Sequence, residues 1–432
     1  LSTVAVTACS DSTTNTDNGN VTQVVSDTAE TTADTSNLSD AELRRLIPDN
    51  LPDRNFEGKT FRVACEENKL FEITSEDLTG EVTNDAIYNR NLAIEERFGA
   101  KVEAIEVTDA HNQVKTTVTS GSDDYDIVGF KAYLSYVPIT AKVLQNWYDI
   151  PYVNLDQPWY NTITNNAATF NGKLFNNTCS LGITQMQYTY AMFFNSKICE
   201  EYGYPATDLY NMVYNNEWVY DNFYKLVSSV YKDENGNGKV DPKDLLAFSC
   251  GNTHPLDVWL ASFDQPITGK DKDGNVTVLV NTEKTYAALE KIYDLIYNTP
   301  TIYFYSSEYS EFKLFAGNTV AICPMPFRVA YSELRDMTDP YGILPYPKWD
   351  SEQSMYLTNI YDQYSAFGVP KTVPADNLEF VGIMFEALNA ESYKTVYPQF
   401  YDVALKNKYS QDPDSANMVD IVMKGANMDF SF

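Results

Sequence analysis

The chain has 432 residues, 44% of them apolar, with 31 Lys and Arg against 60 Asp and Glu and a formal net charge of −29. That length predicts two or three domains, each able to bury a core, and the apolar share argues against fibrous and wholly disordered classes. The charge argues against nucleic acid as a partner and against direct binding to an anionic membrane, because a field of that sign repels phosphate. Aromatic residues are abundant, 32 Tyr and 22 Phe beside 2 His, a composition suited to stacking on neutral polar ligands.

The N-terminal run LSTVAVTAC is small and apolar and ends in Cys9. It resembles the end of a bacterial lipoprotein signal peptide, cut before a cysteine that becomes diacylated. From Ser10 to Asp40, 22 of 31 residues are Ser, Thr, Asn or Asp, and the first cation is Arg44. Such a stretch cannot bury enough apolar surface to offset its ordering entropy, so residues 10–55 are expected to be a flexible tether. The other cysteines, Cys65, Cys179, Cys199, Cys250 and Cys323, contain no CxxC pair, which speaks against structural zinc and for buried thiols.

Beyond the tether, KTFRVACEEN reads as a strand and EVTNDAIYNRNLAIEERFG as a helix with Ile87, Ile94 and Phe98 on one face and Gly99 as its stop. AKVEAIEV alternates as a strand, Asp109 to Ser120 as a helix, and YDIVGF as a third strand. This order predicts an α/β fold with a parallel sheet, whose ligand lies beyond the carboxyl ends of the strands, where Glu66, Glu67 and Lys131 stand. A second αβ stretch follows from about 185 to 300, with DKDG read as a hairpin turn before NVTVLV. FKLFAGNTVAICPMPFR then reads as helix, turn and strand, and QYSAFGVP as a last strand before helical segments near 381–388, 393–405 and 415–424.

The order of GEVTNDAIYNRNLAIEERFGAKVE, DYDIV, NGKLF, YAMFFNSKICEEYG, FAGNTVAICP and GILPYPK resembles the extracellular solute-binding proteins of ABC importers, in particular the sugar-binding lineage of maltose-binding protein. The resemblance implies a two-lobed, type II clamp of the periplasmic-binding-protein kind, each lobe a mostly parallel sheet flanked by helices. Its expected boundaries are residues 1–9 as signal-peptide end, 10–55 as tether, 56–184 with 306–356 as one lobe, and 185–305 with 357–432 as the other. It further implies a monomer on the outer face of a Gram-positive cell membrane, held by lipid on Cys9. That monomer would capture a carbohydrate by lobe closure and deliver it to permease subunits without catalysis. A surface glycan-degrading enzyme and a sensory or adhesion protein remain as alternatives, since carboxylates are plentiful enough for a glycosidase pair.

The resemblance places a stacking aromatic at Phe130, beside Lys131. Trp159 and Tyr160 follow Pro158 in an Asn- and Asp-rich context suited to a sugar face. Phe327 and Arg328 end the strand AICP, and Tyr361 and Asp362 precede the last crossing strand near the expected hinge. Trp218 and Trp259 read as packing residues and His254 as a helix-start residue. DENGNGKVDPKD, from Asp233 to Asp244, places oxygen ligands at Asp233, Asn235, Asn237, Asp241 and Asp244, the carbonyl of Lys239 between them, and Gly238 at the sharp turn. That alternation suits a structural Ca2+, and a metal-free polar turn is the other reading.

Overall fold

The computed structural model describes residues 38–305, 310–409 and 412–429. Cys9 and most of the expected tether lie outside them. In chain order the strands are β1 (Lys59–Cys65), β2 (Ala100–Glu106), β3 (Ile127–Lys131), β4 (Tyr190–Asn195), β5 (Tyr231–Lys232), β6 (Leu245–Gly251), β7 (Thr268–Lys270), β8 (Val276–Val278), β9 (Ile302–Tyr305), β10 (Val320–Pro326), β11 (Tyr341–Leu344), β12 (Thr358–Asn359), β13 (Ser365–Gly368) and β14 (Ala426–Asn427).

The first sheet runs β13-β3-β1-β2, with β1 parallel to β2 and β3 and with β13 antiparallel to β3. Strands β3 and β13 are buried on both faces because each face is covered, whereas the edge strand β2 exposes Lys101, Glu103 and Glu106. Phe61, Val63, Cys65, Ile127 and Phe367 point into one core, while Ala64, Val128, Phe130 and Ala366 point into another. The Val82–Phe98 helix buries Ile87, Ile94 and Phe98 as its periodicity predicts, and Gly99 ends it at φ 56°, a left-handed conformation that suits glycine.

The second sheet runs β11-β4-β10-β6-β5, with β9 on β6. It is mixed: β10 and β9 lie parallel to β6, whereas β4 is antiparallel to both β10 and β11. The protein is thus an α/β fold with two open mixed sheets, less parallel than the sequence pattern suggests. Both β10 and β11 pair with β4, so the strands of 306–356 belong to the second sheet, not to the first as expected. Conversely β13 and the Leu378–Glu391 helix join the first sheet and its core. The tether boundary at 55 also shifts. Asp40–Arg45 is helical, Arg44 lies over the rings of Tyr393 and Tyr397, and Ile47 and Leu51 pack on the first core. These apolar anchors and the Arg44 guanidinium, with the Arg97–Asp49 and Arg54–Glu379 ion pairs, tie down a stretch whose average composition is polar.

The chain passes between the sheets at residues 182–189, again from β11 through β12 to β13, and again after the Leu378–Glu391 helix, with β14 pairing β12. A polar knot ties these passages together. Glu72, 1% exposed, accepts from the Thr184 amide at 2.7 Å and from the Ser365 hydroxyl. Arg90, also buried, donates to the Glu72 and Ile73 carbonyls and at 3.0 Å to Ser392 Oγ. Burial lowers the Arg90 pKa to about 9, against the pull of Glu391 and Glu72.

Candidate functional site

Between elements packed on the first and second cores lies a cavity of about 620 Å³. One wall is the Thr162–Ala168 helix, which packs on the first core through Ala168. The opposite wall is the His254–Ser262 helix, fixed to the second core by Val258 and Trp259, together with the β7–β8 hairpin. Asn359 of β12 and Asn427 of β14 line it as well. Its apolar surface comes from Leu260, Ile267, Leu357 and Met428, and its polar groups include Asp257, Asn166 and Lys270. The Lys270 ammonium bonds to the Asn166 carbonyl, joining the hairpin to the facing helix across the mouth. Asp429 fixes the hairpin, accepting from the Ile267 and Thr268 amides at 3.0 Å each.

A narrow recess adjoins the cavity and shares Asp257, Asn359 and Met428 with it. Here the His254 and Tyr361 rings lie 3.8 Å apart between centroids, and Tyr361 meets Tyr188 edge-on at 5.5 Å. Asp257 lies 3.9 Å from His254 Nδ1, and burial raises its pKa to about 6. Behind the recess, Tyr188 carries Lys69 Nζ 4.8 Å and the Arg328 guanidinium 5.5 Å from its ring centre. Lys69 is buried and donates at 2.7 Å to the Gln363 carbonyl, and desolvation lowers its pKa. Lys131 and Glu66 form an ion pair at 2.7 Å. Burial is the largest single influence on the Lys131 ammonium and lowers its pKa, but the bond to Glu66 together with the charges of Glu66, Tyr133 and Tyr188 leaves it raised.

Of the residues singled out by sequence, Arg328 thus lies over Tyr188 behind the recess, and Glu66 and Lys131 pair at the carboxyl ends of β1 and β3, lining neither the cavity nor the recess. Tyr361 and Asp362 line the recess, and the Asp362 carbonyl accepts from the Tyr133 amide. Glu67 is exposed on the turn after β1. Four aromatic candidates sit elsewhere. Phe130 is buried under the first sheet and Phe327 in the second core, edge-on to Phe193. Trp159 is 1% exposed and donates from Nε1 to Glu386 Oε1 at 3.1 Å, and the Tyr160 hydroxyl donates to the other carboxylate oxygen. Both rings belong to the first core, and both also line a separate cavity of about 220 Å³ with Pro158, Gln185 and Tyr393, away from the 620 Å³ cavity.

The sequence reading missed Lys69, Tyr188, Asp257 and Asn359. The rule that ligands gather beyond strand ends, applied to β6, points directly at the His254–Ser262 helix and Asp257. Tyr188 and Asn359 carry no such signal, because they stand on the passages between sheets. His254 begins its helix as expected and also stacks on Tyr361. Trp218 is fully buried, with Nε1 on the Pro345 carbonyl, and Trp259 is core.

In the 233–244 loop, the Asp233 carboxylate accepts from the Gly236, Asn237 and Gly238 amides, and Gly238 turns at φ 70°. Asn235 Nδ2 donates to Asp241 and Asp244, and Asn237 Nδ2 donates to Asp241 at 2.7 Å. Asp244 is fully buried and also accepts from the Tyr231 hydroxyl at 3.1 Å. The donor set is oxygen-rich, and turning the two amides over would aim their carbonyls at the same carboxylates. Among the described residues, however, no group of three or more His, Cys, Asp or Glu side chains is gathered as for a metal ion.

The five described cysteines are free and buried, as expected. Among the described residues no helix is long and apolar enough to cross a membrane. A comparison with protein-family models gives no match, and a search of curated proteins gives none either.

Proposed function

We propose that the protein is the solute-binding component of a carbohydrate importer, anchored by lipid on Cys9 to the outer face of a Gram-positive cell membrane. Its two sheet-bearing halves act as the lobes of a type II clamp. They close on a mono- or oligosaccharide and present it to ABC permease subunits. The observation that carries this reading is the 620 Å³ cavity, whose walls come from elements fixed to different cores and whose floor is the paired strands of the passages. A cavity so placed changes volume whenever the halves rotate, which couples ligand binding to a domain equilibrium. The Lys270–Asn166 bond across the mouth supports a closed arrangement.

Calorimetric titration against a panel of oligosaccharides tests the reading, combined with small-angle scattering and a product assay. The expected result is saturable binding, a smaller radius of gyration with ligand and no turnover. Ligand at 100 times Kd should stabilise the fold by about 2.7 kcal/mol. Released sugar products would place the protein among glycan-degrading enzymes instead.

The loop from Asp233 to Asp244 is proposed to hold a structural Ca2+, on the strength of the alternation of its oxygen-bearing residues and the turn at Gly238. The ion would take carboxylate oxygens from Asp233, Asp241 and Asp244, amide oxygens from Asn235 and Asn237, and the Lys239 carbonyl. Calcium should raise the melting temperature of the parent and leave Asp233→Ala unchanged; equal melting of the parent with calcium and with chelator would remove the ion.

A further inference from the structure

Asp257 and Asn359 both line the cavity and the recess, so they stand at the junction of the two. Asn359 is 5% exposed, and its Oδ1 is a buried acceptor with no hydrogen-bond partner. A buried carbonyl left in that condition costs free energy, a cost that an arriving donor removes. Asp257 adds a half-buried carboxylate with no cation closer than His254 Nδ1 at 3.9 Å among its described ion pairs. Around the cavity as a whole, the carboxylates of Asp257, Asp264 and Asp429 stand against the ammonium of Lys270. Lys270 is directed to the Asn166 carbonyl. The junction therefore offers acceptors and negative potential, and no guanidinium fork to receive an acid.

We propose that this junction is the subsite for a protonated amine on the ligand, so that the carbohydrate is an amino sugar whose free ammonium sits between Asp257 and Asn359. The inference rests on the carbohydrate-binding reading above and names the class of sugar. An ammonium supplies three donors, enough for the Asn359 carbonyl, an Asp257 oxygen and one further acceptor. An acetamido group supplies one donor and adds bulk, and a uronate brings a charge of the wrong sign. The apolar wall of Leu260, Ile267 and Met428 receives the ring face, and the amine sets its orientation.

Calorimetric titration of the full chain with a glucosamine disaccharide, its N-acetylated counterpart and a uronic-acid disaccharide tests this. The amine is expected to bind at least about tenfold more tightly than the acetylated sugar, the size of one charge-assisted hydrogen bond, with the uronate weakest. Asp257→Asn, an isosteric change on an accessible helix, should reduce the preference to about twofold while the melting temperature stays near that of the parent. Equal affinity for the amine and the acetylated sugar overturns the amino-sugar inference and leaves carbohydrate binding intact. A preference for the amine that Asp257→Asn does not change also overturns it. Binding of none of the three removes the amino sugar and the carbohydrate reading together. The wild-type series needs no variant, so the inference stays falsifiable even if Asp257→Asn folds poorly.

Discussion

Glu386 with Trp159 and Tyr160, and Asp257 with His254 and Tyr361, are each a carboxylate set among aromatic rings. One lies inside the first core and the other at the wall of the cavity. Burial raises both carboxyls, Glu386 to about 7 and Asp257 to about 6. They differ in what surrounds the oxygens. Glu386 accepts from an indole, a phenol and the Asn154 amide, and the cluster has no group left over. Beside Asp257 stands Asn359, a buried acceptor still waiting for a donor. A perturbed carboxylate therefore marks a site only where its neighbours are incomplete; a complete set is architecture.

The sharpest way to break this comparison is Trp159→Ala. A ring that is 1% exposed and bonded to Glu386 should cost about 3 to 5 kcal/mol when deleted, measured by denaturant unfolding without ligand. A variant with near-parental stability and lost sugar affinity would move Trp159 back into the binding site.

Trp159 also shows where sequence reasoning stops. Pro158 and the flanking Asn and Asp residues suggest an exposed ring, yet the acceptor that lets the indole be buried is 227 positions away on another helix. Local polarity carries no information about such a partner. Phe327 fails as a candidate for a related reason: the strand Val320–Pro326 is buried throughout, and the ring that follows it continues inward to Phe193. What was legible is what depends on short-range pattern. The strand–helix order from Lys59 to Lys131, the Gly99 stop and the 271–274 hairpin turn all match the described elements. Which sheet β10 joins was not legible, because a buried apolar strand fits either sheet and its partner β4 lies more than a hundred residues earlier. The strand-end placement of Glu66 and Lys131 was legible because strand ends are local, whereas Asn359 is placed by pairing with β14.

Glu386→Gln sharpens the comparison through pH. The folded carboxyl titrates near 7 while the unfolded one titrates near its ordinary value of 4.5, so over that window the folded protein holds a proton that the unfolded chain releases. Parental stability should fall as pH rises from about 5 to about 7.5, by about 2 to 3 kcal/mol. The variant cannot ionise and should show a flatter profile over the same window. Identical slopes in both proteins would mean that another group carries the titration.

Arg90→Met tests the knot at the passages, a second fully bonded cluster. The substitution strands the Glu72 and Ser392 oxygens but also removes a buried charge, so the two effects oppose each other. A net loss of about 1 to 2 kcal/mol is expected by denaturant unfolding. Scattering profiles should also report altered closure, because Ser392 begins one of the passages.

The smallest effect on stability is expected at the Glu66–Lys131 pair, and it separates the two kinds of cluster most cleanly. The side chains are 12% and 23% exposed, so water screens them more than it screens Glu386 or Arg90. A pair of this kind contributes within about 1 kcal/mol, and Lys131→Met should melt within a few degrees of the parent. Its worth lies in orientation. Glu66 fixes an ammonium at the carboxyl end of β3, and a ligand reaching that strand end would offer it a hydroxyl or ring oxygen as acceptor. Lys131→Met should therefore weaken the cognate sugar by about five- to tenfold in a calorimetric titration, with little loss of fold. If affinity is unchanged while stability drops by more than about 2 kcal/mol, the pair belongs with the sealed clusters, and the ligand is confined to the cavity beside Asp257.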